Sequence, residues 1–164
     1  MFLVDCIVIC LVMVWEHRMK YSLNEYFEKA YDFALTFSHD KDSPVGCIIT
    51  NKEGDILTMG TNKFPKWFNH FEYDLKDKNK GKLITHAEVD CLNKLRLDDF
   101  KTELNVFITK IPCEFCCEYF INSFFNINTI YYKKHDMSQS FIEKYGIERS
   151  KKILNKKGIS LIGV

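Results

Sequence analysis

Apolar residues recur at helical spacing in the first clearly patterned stretch of the chain. Between residues 23 and 38 one helical face carries Leu23, Phe27, Ala30, Tyr31, Ala34 and Phe37. Ser22-Leu23-Asn24-Glu25 forms a capping-box sequence, in which the Ser22 side chain caps the Glu25 N–H and Glu25 reaches back to Ser22. The pattern predicts an amphipathic helix over 23–38.

The remaining pattern alternates between short β-branched runs and longer helical stretches. After a polar loop that ends at Pro44, strands are predicted at 45–50, 56–60, 105–109, 129–132 and 159–164. Further helices are predicted at 87–97, 113–125 and 138–154. Helices that alternate with strands in this way indicate an α/β layered domain with a mixed sheet.

Composition excludes several classes of protein. A length of 164 residues corresponds to one ordinary domain, and 46% hydrophobic residues exclude a disordered chain. Lys and Arg total 23 against 22 Asp and Glu, so the net charge of +1 excludes a strongly basic nucleic-acid wrapper. The seven cysteines are odd in number and not spaced like a secreted disulfide framework. Some thiols are therefore expected to serve metal or redox chemistry in a reducing, cytoplasmic compartment.

The N-terminal 15 residues, MFLVDCIVICLVMVW, are apolar but interrupted by Asp5. A membrane span needs about 20 residues, and a signal peptide needs an early positive charge, whereas the first one here is Arg18. Three interpretations stand: a start annotated upstream of a true start at Met19, an extra strand or helix, and a membrane anchor. The predicted division is an extension over 1–18 and a single domain over 19–164.

Residues 61–85 are irregular and include the mixed-charge run 74–82. A loop of this length in a compact domain is usually functional or flexible. The simplest interpretation of the run is a solvated loop, and the alternative is a lid that closes over a site.

Two short motifs carry the candidate chemistry: His86-Ala87-Glu88 and Pro112-Cys113-Glu114-Phe115-Cys116. Together they offer one imidazole and two thiolates at predicted helix N-termini, which is a three-ligand zinc set with an open fourth position, typical of a catalytic site. Helix N-termini favour the thiolate over the thiol. Glu88 lies close enough to act beside the metal without binding it. The alternatives are a packed core cluster, and a structural zinc site completed by Cys91 or Cys117.

The H-x-E motif followed by P-C-x-x-C resembles the signature of the cytidine/deoxycytidylate deaminase superfamily, and most closely that of the deoxycytidylate (dCMP) deaminases. The resemblance covers about residues 21–164. It extends to 43–49, similar to the first strand of the family, to 60–65, similar to its G-Y-N-G-F-P segment, and to 128–132, similar to the strand after the zinc helix. It implies a three-layer α-β-α, cytidine-deaminase-like fold with a mixed five-stranded sheet.

The resemblance also implies a mechanism. His86, Cys113 and Cys116 are expected to hold Zn²⁺, while Glu88 moves protons during hydrolytic deamination of dCMP to dUMP and ammonia. Substrate contacts are expected at Asn62, Ala87 and Lys63. A turn residue is the competing interpretation of Asn62, and solvated surface lysines are the competing interpretation of Lys63 and Lys66 as phosphate ligands.

Departures from the family pattern leave the substrate open. Thr61 stands where the family usually has Tyr, Lys63 where it has Gly, and residues 82–85 lack the usual tyrosine-rich stretch. His86-Ala87-Glu88-Val89 also matches guanine deaminases, and cytosine and tRNA adenosine are further candidate substrates. A nucleotide-binding protein that has kept zinc and lost turnover is the non-enzymatic alternative.

Partners follow from the same resemblance. We expect a small-molecule nucleotide substrate, no nucleic acid polymer, no membrane, and a homo-oligomer, since the family is oligomeric. Aromatic residues concentrate in the helix that follows the cysteine motif: Phe115, Tyr119, Phe120, Phe124 and Phe125. Core packing is the first interpretation of these rings, and a subunit interface is the second.

Overall fold

The computed structural model describes residues 19–65, 83–134 and 146–164. These ranges contain four α-helices: α1 (Leu23–Phe37), α2 (Ala87–Leu92), α3 (Glu114–Asn122) and α4 (Ile147–Asn155). A 3₁₀ helix spans Leu97–Lys101. The strands are β1 (Gly46–Asn51), β2 (Ile56–Thr61), β3 (Glu103–Ile108), β4 (Asn126–Tyr132) and β5 (Ser160–Gly163). The predicted order of helices and strands is confirmed.

The five strands form one mixed sheet in the order β2-β1-β3-β4-β5. β1 pairs with β2 and β3 in the antiparallel sense, whereas β3–β4 and β4–β5 are parallel pairs. Parallel strands require a crossover connection, which usually contains a helix. Here α3 connects β3 to β4, and α4 lies between β4 and β5. The mixed five-stranded sheet expected from the sequence is therefore confirmed.

Both faces of the sheet are covered by helices, which gives the expected three layers. On one face α1 packs Tyr26 and Phe27 against Ile48, Phe107 and Tyr131. The rings of Tyr26 and Phe107 stack with their centroids 4.3 Å apart. On the other face α2, α3 and α4 cover a larger apolar cluster that includes Ile49, Val106, Ile108, Ile130, Phe120 and Leu154. Alternate residues of a strand point to opposite faces, so β1 and β3 contribute to both cores.

Helix α1 begins where the capping-box sequence predicts. The Ser22 hydroxyl accepts a hydrogen bond from the Glu25 N–H at 3.3 Å, and the Glu25 carboxylate accepts one from the Ser22 N–H at 2.8 Å. The Ser22 hydrogen bonds also hold the pKa of Glu25 below its usual range.

Element boundaries differ from the sequence prediction at two helices. Helix α2 ends at Leu92 rather than 97, because the Lys94 and Leu95 N–H groups donate to carbonyls three residues back instead of four. Helix α3 ends at Asn122 rather than 125, because Ser123 is extended and its hydroxyl donates to the Phe120 carbonyl at 2.8 Å. Apolar periodicity runs through both ends, so it overestimates the length of each helix.

Several predictions concern residues outside the described part of the chain. These are the N-terminal extension 1–18, the lysine Lys66, the proposed lid 74–82, and the first part of the helix predicted at 138–154. Among the described residues, no helix combines the length and the apolar character needed to cross a membrane.

Strand directions bring three separate parts of the sequence to one edge of the sheet. Gly46 at the start of β1 pairs with Thr61 at the end of β2, and Cys47 pairs with Ile108 at the end of β3. The segments that precede β1 and follow β2 and β3 therefore emerge side by side. Those segments contain the residues that the sequence singles out for function.

Gly60 on β2 allows α2 to lie directly on the sheet. A Cβ atom at this position would overlap the Ala87 carbonyl and would lie 2.5 Å from the Cys91 nitrogen. Both neighbours are helix backbone, which cannot turn aside as a flexible side chain can. The absence of a side chain at Gly60 thus sets how closely β2 approaches the helix that follows His86.

We expect Gly60→Ala to lower the free energy of unfolding by about 2 kcal/mol, because an added methyl group overpacks the α2–β2 contact. Urea denaturation followed by circular dichroism measures the loss. Glu53→Ala, an exposed change in the β1–β2 turn, is the control and should stay within about 0.5 kcal/mol of wild type. Equal stability of the two variants would contradict the close approach described above.

Candidate metal centre

His86 lies at the N-terminus of α2 as its N-cap residue. The preceding residue, Thr85, forms an isolated antiparallel bridge with Lys63 through two backbone hydrogen bonds of 3.0 and 2.8 Å. The segment that follows β2 is thereby tied directly to the residue before His86. The imidazole is partly buried and points toward α3, where its Nδ1 lies 3.2 Å from the Cys116 sulfur.

Cys113 and Cys116 belong to the first turn of α3. Cys113 is the N-cap, and its carbonyl accepts a hydrogen bond from the Cys117 N–H at 3.0 Å. This turn places the two sulfur atoms 3.5 Å apart. Cys113 is partly buried and Cys116 fully buried, so the pair faces inward rather than into bulk solvent.

The three donor atoms form a triangle of the size that a tetrahedral metal requires. The His86 Nδ1 lies 3.2 Å from the Cys116 sulfur and 3.6 Å from the Cys113 sulfur. Zinc bond lengths in a tetrahedral arrangement separate nitrogen and sulfur donors by about 3.6 Å and two sulfur donors by about 3.8 Å. The observed separations therefore fit Zn²⁺ with one histidine and two cysteine ligands.

Proton sharing within the triangle favours an anionic donor set. The hydrogen bond with Cys116, assisted by His86, lowers the pKa of Cys113 to about 4. The same hydrogen bond and burial raise the pKa of Cys116, which keeps the shared proton. The hydrogen bond with Cys113 raises the pKa of His86. A bound cation replaces this proton, since metal ligands must be deprotonated.

Glu88 lies two residues after His86, in the first turn of α2, and only 5% of its surface is exposed. Burial raises the pKa of its carboxyl above the usual range, and the charge of the nearby His86 opposes that shift. A buried carboxyl with a raised pKa, two residues from a candidate ligand, is suited both to accept and to release protons.

Asn62 and Lys63 directly follow β2, and Ala87 directly follows His86. The Asn62 side-chain oxygen accepts a hydrogen bond from the Val45 N–H at 3.0 Å, which holds the amide at the start of β1. The Lys63 ammonium lies 3.5 Å from Asp90. Ala87 is fully buried at the start of α2.

A fourth protein ligand is not found among the residues that the structure describes. The cluster of potential ligand atoms within 4.8 Å of one another consists of His86, Cys113 and Cys116. Cys91 instead contacts the Thr58 hydroxyl at 3.1 Å inside the core. Cys117 is buried, and burial raises its pKa to about 12. The described residues therefore match the open three-ligand arrangement rather than a closed structural site.

Phe115 and Asp90 are not among the site residues that the sequence predicts. Core packing is the first interpretation of Phe115 from the sequence, but the residue is 60% exposed. Its ring lies edge-on to the His86 ring at a centroid distance of 6.3 Å. Of the other aromatics, Phe120 is buried as the core interpretation requires, whereas Phe124 is 98% exposed. Neither sequence motif includes Asp90. Its spacing of four residues from Lys94 is the local signal that indicates an ion pair.

Comparison with protein families identifies one matching model. The model is described as the cytidine and deoxycytidylate deaminase zinc-binding region, and it matches residues 20–134. The match includes both motifs of the candidate centre and the segment that contains Asn62.

Individual proteins are also similar. A protein of Caenorhabditis elegans described as a probable deoxycytidylate deaminase is 31% identical over 90 residues, which is 52% of this chain. The match spans 45% of the length of that relative. The crystal structure of dCMP deaminase from the cyanophage S-TIM5 in complex with dCMP and dUMP has a TM-score of 0.63 at 23% identity, covering 86% of this chain and 95% of the phage protein.

A second solved structure shares the fold with lower similarity. RibD of Acinetobacter baumannii has a TM-score of 0.55 at 17% identity, covering 86% of this chain and 34% of that protein. These structural similarities establish a cytidine-deaminase-like fold, as expected from the sequence.

We expect purified wild-type protein to contain about one zinc ion per chain, and Cys116→Ala to lose it, because two donors bind zinc far more weakly than three. Elemental analysis by mass spectrometry measures the metal. Cys117→Ala is the matched control, since Cys117 is the adjacent buried thiol outside the donor triangle. A metal content that Cys116→Ala leaves intact, or that Cys117→Ala abolishes, would contradict the assignment. Thermal unfolding with and without a chelator should show a shift in the wild type and in the control only.

Proposed function

The chain belongs to the cytidine and deoxycytidylate deaminase family, a zinc-binding family, and on that premise we propose that it is a hydrolase that converts dCMP and water to dUMP and ammonia. One observation carries the proposal: the convergence of His86, Cys113 and Cys116 beside the buried carboxyl of Glu88. The relative described as a probable deoxycytidylate deaminase supports dCMP as the substrate.

The proposed ligands are His86, Cys113 and Cys116. Zn²⁺ supplies a Lewis acid that makes water a competent nucleophile at neutral pH. The three side chains, at the N-termini of α2 and α3, would hold the ion. Their partial burial limits competition from bulk water at this position.

Glu88 is the proposed catalytic acid and base. Its carboxyl takes a proton from the attacking water and delivers protons to N3 of the cytosine ring and to the amine that leaves from C4. The raised pKa that burial causes in Glu88 matches this role, since one group must both accept and donate. Position supports it as well, because Glu88 is buried in the first turn of α2, two residues after His86.

Substrate binding is proposed at Asn62, at the Ala87 backbone and at Lys63. The Asn62 oxygen is engaged by Val45, so its amide NH₂ is the group suited to contact the deoxyribose. The Lys63 ammonium is the proposed phosphate ligand, and its distance of 3.5 Å from Asp90 leaves this ion pair loose.

Wider properties of the protein are proposals as well. We propose that residues 19–164 act as one catalytic domain, supported by a single sheet to which all described strands belong. We also propose a homo-oligomer, supported by the large exposed rings of Phe115 and Phe124, and a site in the reducing cytoplasm, supported by five free cysteines in the described residues. A free nucleotide, rather than a nucleic acid polymer, suits the net charge of +1.

We expect zinc-loaded wild-type protein to release ammonia from dCMP faster than from dCTP, cytidine, cytosine or guanine. Glu88→Gln should keep zinc and lower kcat by about 10²- to 10⁴-fold, the usual contribution of a general acid and base. Glu118→Gln, an exposed change on α3, is the matched control. If the protein deaminates guanine and not dCMP, the substrate is guanine and the dCMP assignment is wrong. Nucleotide binding without any ammonia release would favour the non-catalytic alternative. Retained turnover in Glu88→Gln would remove Glu88 from the mechanism.

Lys63→Ala should weaken binding of dCMP about tenfold, because a charge-assisted contact to phosphate is lost, and should leave binding of deoxycytidine unchanged. Calorimetry in the Glu88→Gln background measures both ligands without turnover. Lys52→Ala, which removes an exposed lysine of the β1–β2 turn, controls for the change in net charge. An equal loss for the two ligands would show that Lys63 does not recognise the phosphate.

A further inference from the structure

Strand β2 lies at one end of the described sheet, so one side of it has no neighbouring strand in the described residues. Two of its backbone groups are bound instead by side chains of α2 and of the turn that follows it. The Lys94 ammonium donates to the Met59 carbonyl at 2.8 Å, and the Asp90 carboxylate accepts from the Thr61 N–H at 3.0 Å. Asp90 in α2 and Lys94, four residues later in the turn after the helix, thus supply one acceptor and one donor to the edge, as a further strand would.

Asp90 is the centre of this arrangement. A single oxygen, Oδ2, receives the Thr61 N–H, the Lys94 ammonium at 2.7 Å and the Lys63 ammonium at 3.5 Å. The Asp90 side chain is only 15% exposed. Hydrogen bonds to an ionised acceptor are stronger than neutral ones, and solvent screens them less at low exposure.

These contacts restrain the segment 61–63 at both ends. Thr61 is attached to Asp90, and Lys63 is attached to Thr85 through the two-bond bridge that precedes His86. Asn62 lies between the two attachments, with its side-chain oxygen on the Val45 N–H. A closed ring of contacts results. It runs from Thr61 to Lys63, across the bridge to Thr85, along the start of α2 to Asp90, and back to Thr61 through the Asp90 hydrogen bond.

We propose that Asp90 is a positioning residue, which acts through Asn62 by holding segment 61–63 in register with the metal centre. The substrate part of this inference rests on the proposed function, because it takes Asn62 as a ligand of the nucleotide. The restraint on the segment itself does not depend on any ligand. Lys94 assists by neutralising Asp90 and by holding Met59.

Amide exchange tests the restraint independently of nucleotide. In Asp90→Ala the Thr61 amide should exchange at least about tenfold faster, while the Ile48 amide inside the sheet keeps its rate, since only local restraint is lost. Asp98→Ala, which breaks an exposed ion pair with Lys101, is the matched control. Asp90→Asn keeps an oxygen able to accept from Thr61 and should exchange at a rate between those of wild type and Asp90→Ala. Unchanged Thr61 exchange in Asp90→Ala would overturn the proposal.

Binding of dCMP tests whether Asp90 acts through Asn62. In the Glu88→Gln background, Asp90→Ala should weaken dCMP binding about three- to tenfold, the value of one misplaced hydrogen bond. In a protein that also carries Asn62→Ala, the same change should have little further effect, because the residue through which Asp90 acts is gone. An equal loss in both backgrounds would overturn the positioning role. Absence of dCMP binding and turnover in the parent proteins would refute the proposed function, while amide exchange would still decide the restraint.

Discussion

The placement of two sulfur atoms, an imidazole and a carboxyl within one partly buried volume constrains the whole described structure. The Cys113 and Cys116 sulfurs are 3.5 Å apart, and Glu88 is almost fully withdrawn from solvent. Burial raises the pKa of the Glu88 carboxyl, and the hydrogen bond with Cys113 together with burial raises the pKa of Cys116, so the charged forms of both groups are disfavoured. A divalent ion at this position resolves the conflict, and Zn²⁺ is the cofactor of the family.

The mixed strand pairing of the sheet brings the segments that contain these side chains together. An antiparallel β1–β3 pair beside a parallel β3–β4 pair puts the ends of β2 and β3 and the start of β1 at one edge. Helices α2 and α3 then begin at that edge and run back across the same face. Gly60 lets α2 lie against β2 without an intervening side chain, so the helix that begins after His86 is held close to the sheet. Small packing requirements in the core thereby set distances in the candidate site.

The charged side chains Lys63, Asp90 and Lys94 form local ion pairs. The whole chain carries a formal net charge of +1, yet Asp90 gathers two lysines and a backbone amide on one oxygen. This pairing gives Lys63, an unusual residue at its position in the family pattern, a structural partner as well as a proposed ligand. Overall composition could therefore exclude a polyanion-binding protein, but it could not show how any single lysine is used.

Much of the architecture is encoded locally in the sequence. The capping box at Ser22, the order of helices and strands, the mixed sheet and the two ligand motifs are short-range patterns, and a reader of the sequence can identify them without coordinates. Helix ends at Leu92 and Asn122 are less predictable, because local hydrogen bonds to carbonyls three residues back, rather than apolar periodicity, mark the end of each helix. The exposure of Phe115 and Phe124 had no local signature either, since an aromatic residue at helical spacing has the same pattern in a core and on a surface. Only the tertiary structure joins Thr85 to Lys63 and Asp90 to Thr61, because these contacts link residues more than twenty positions apart and depend on strand register and on the approach of α2 to β2.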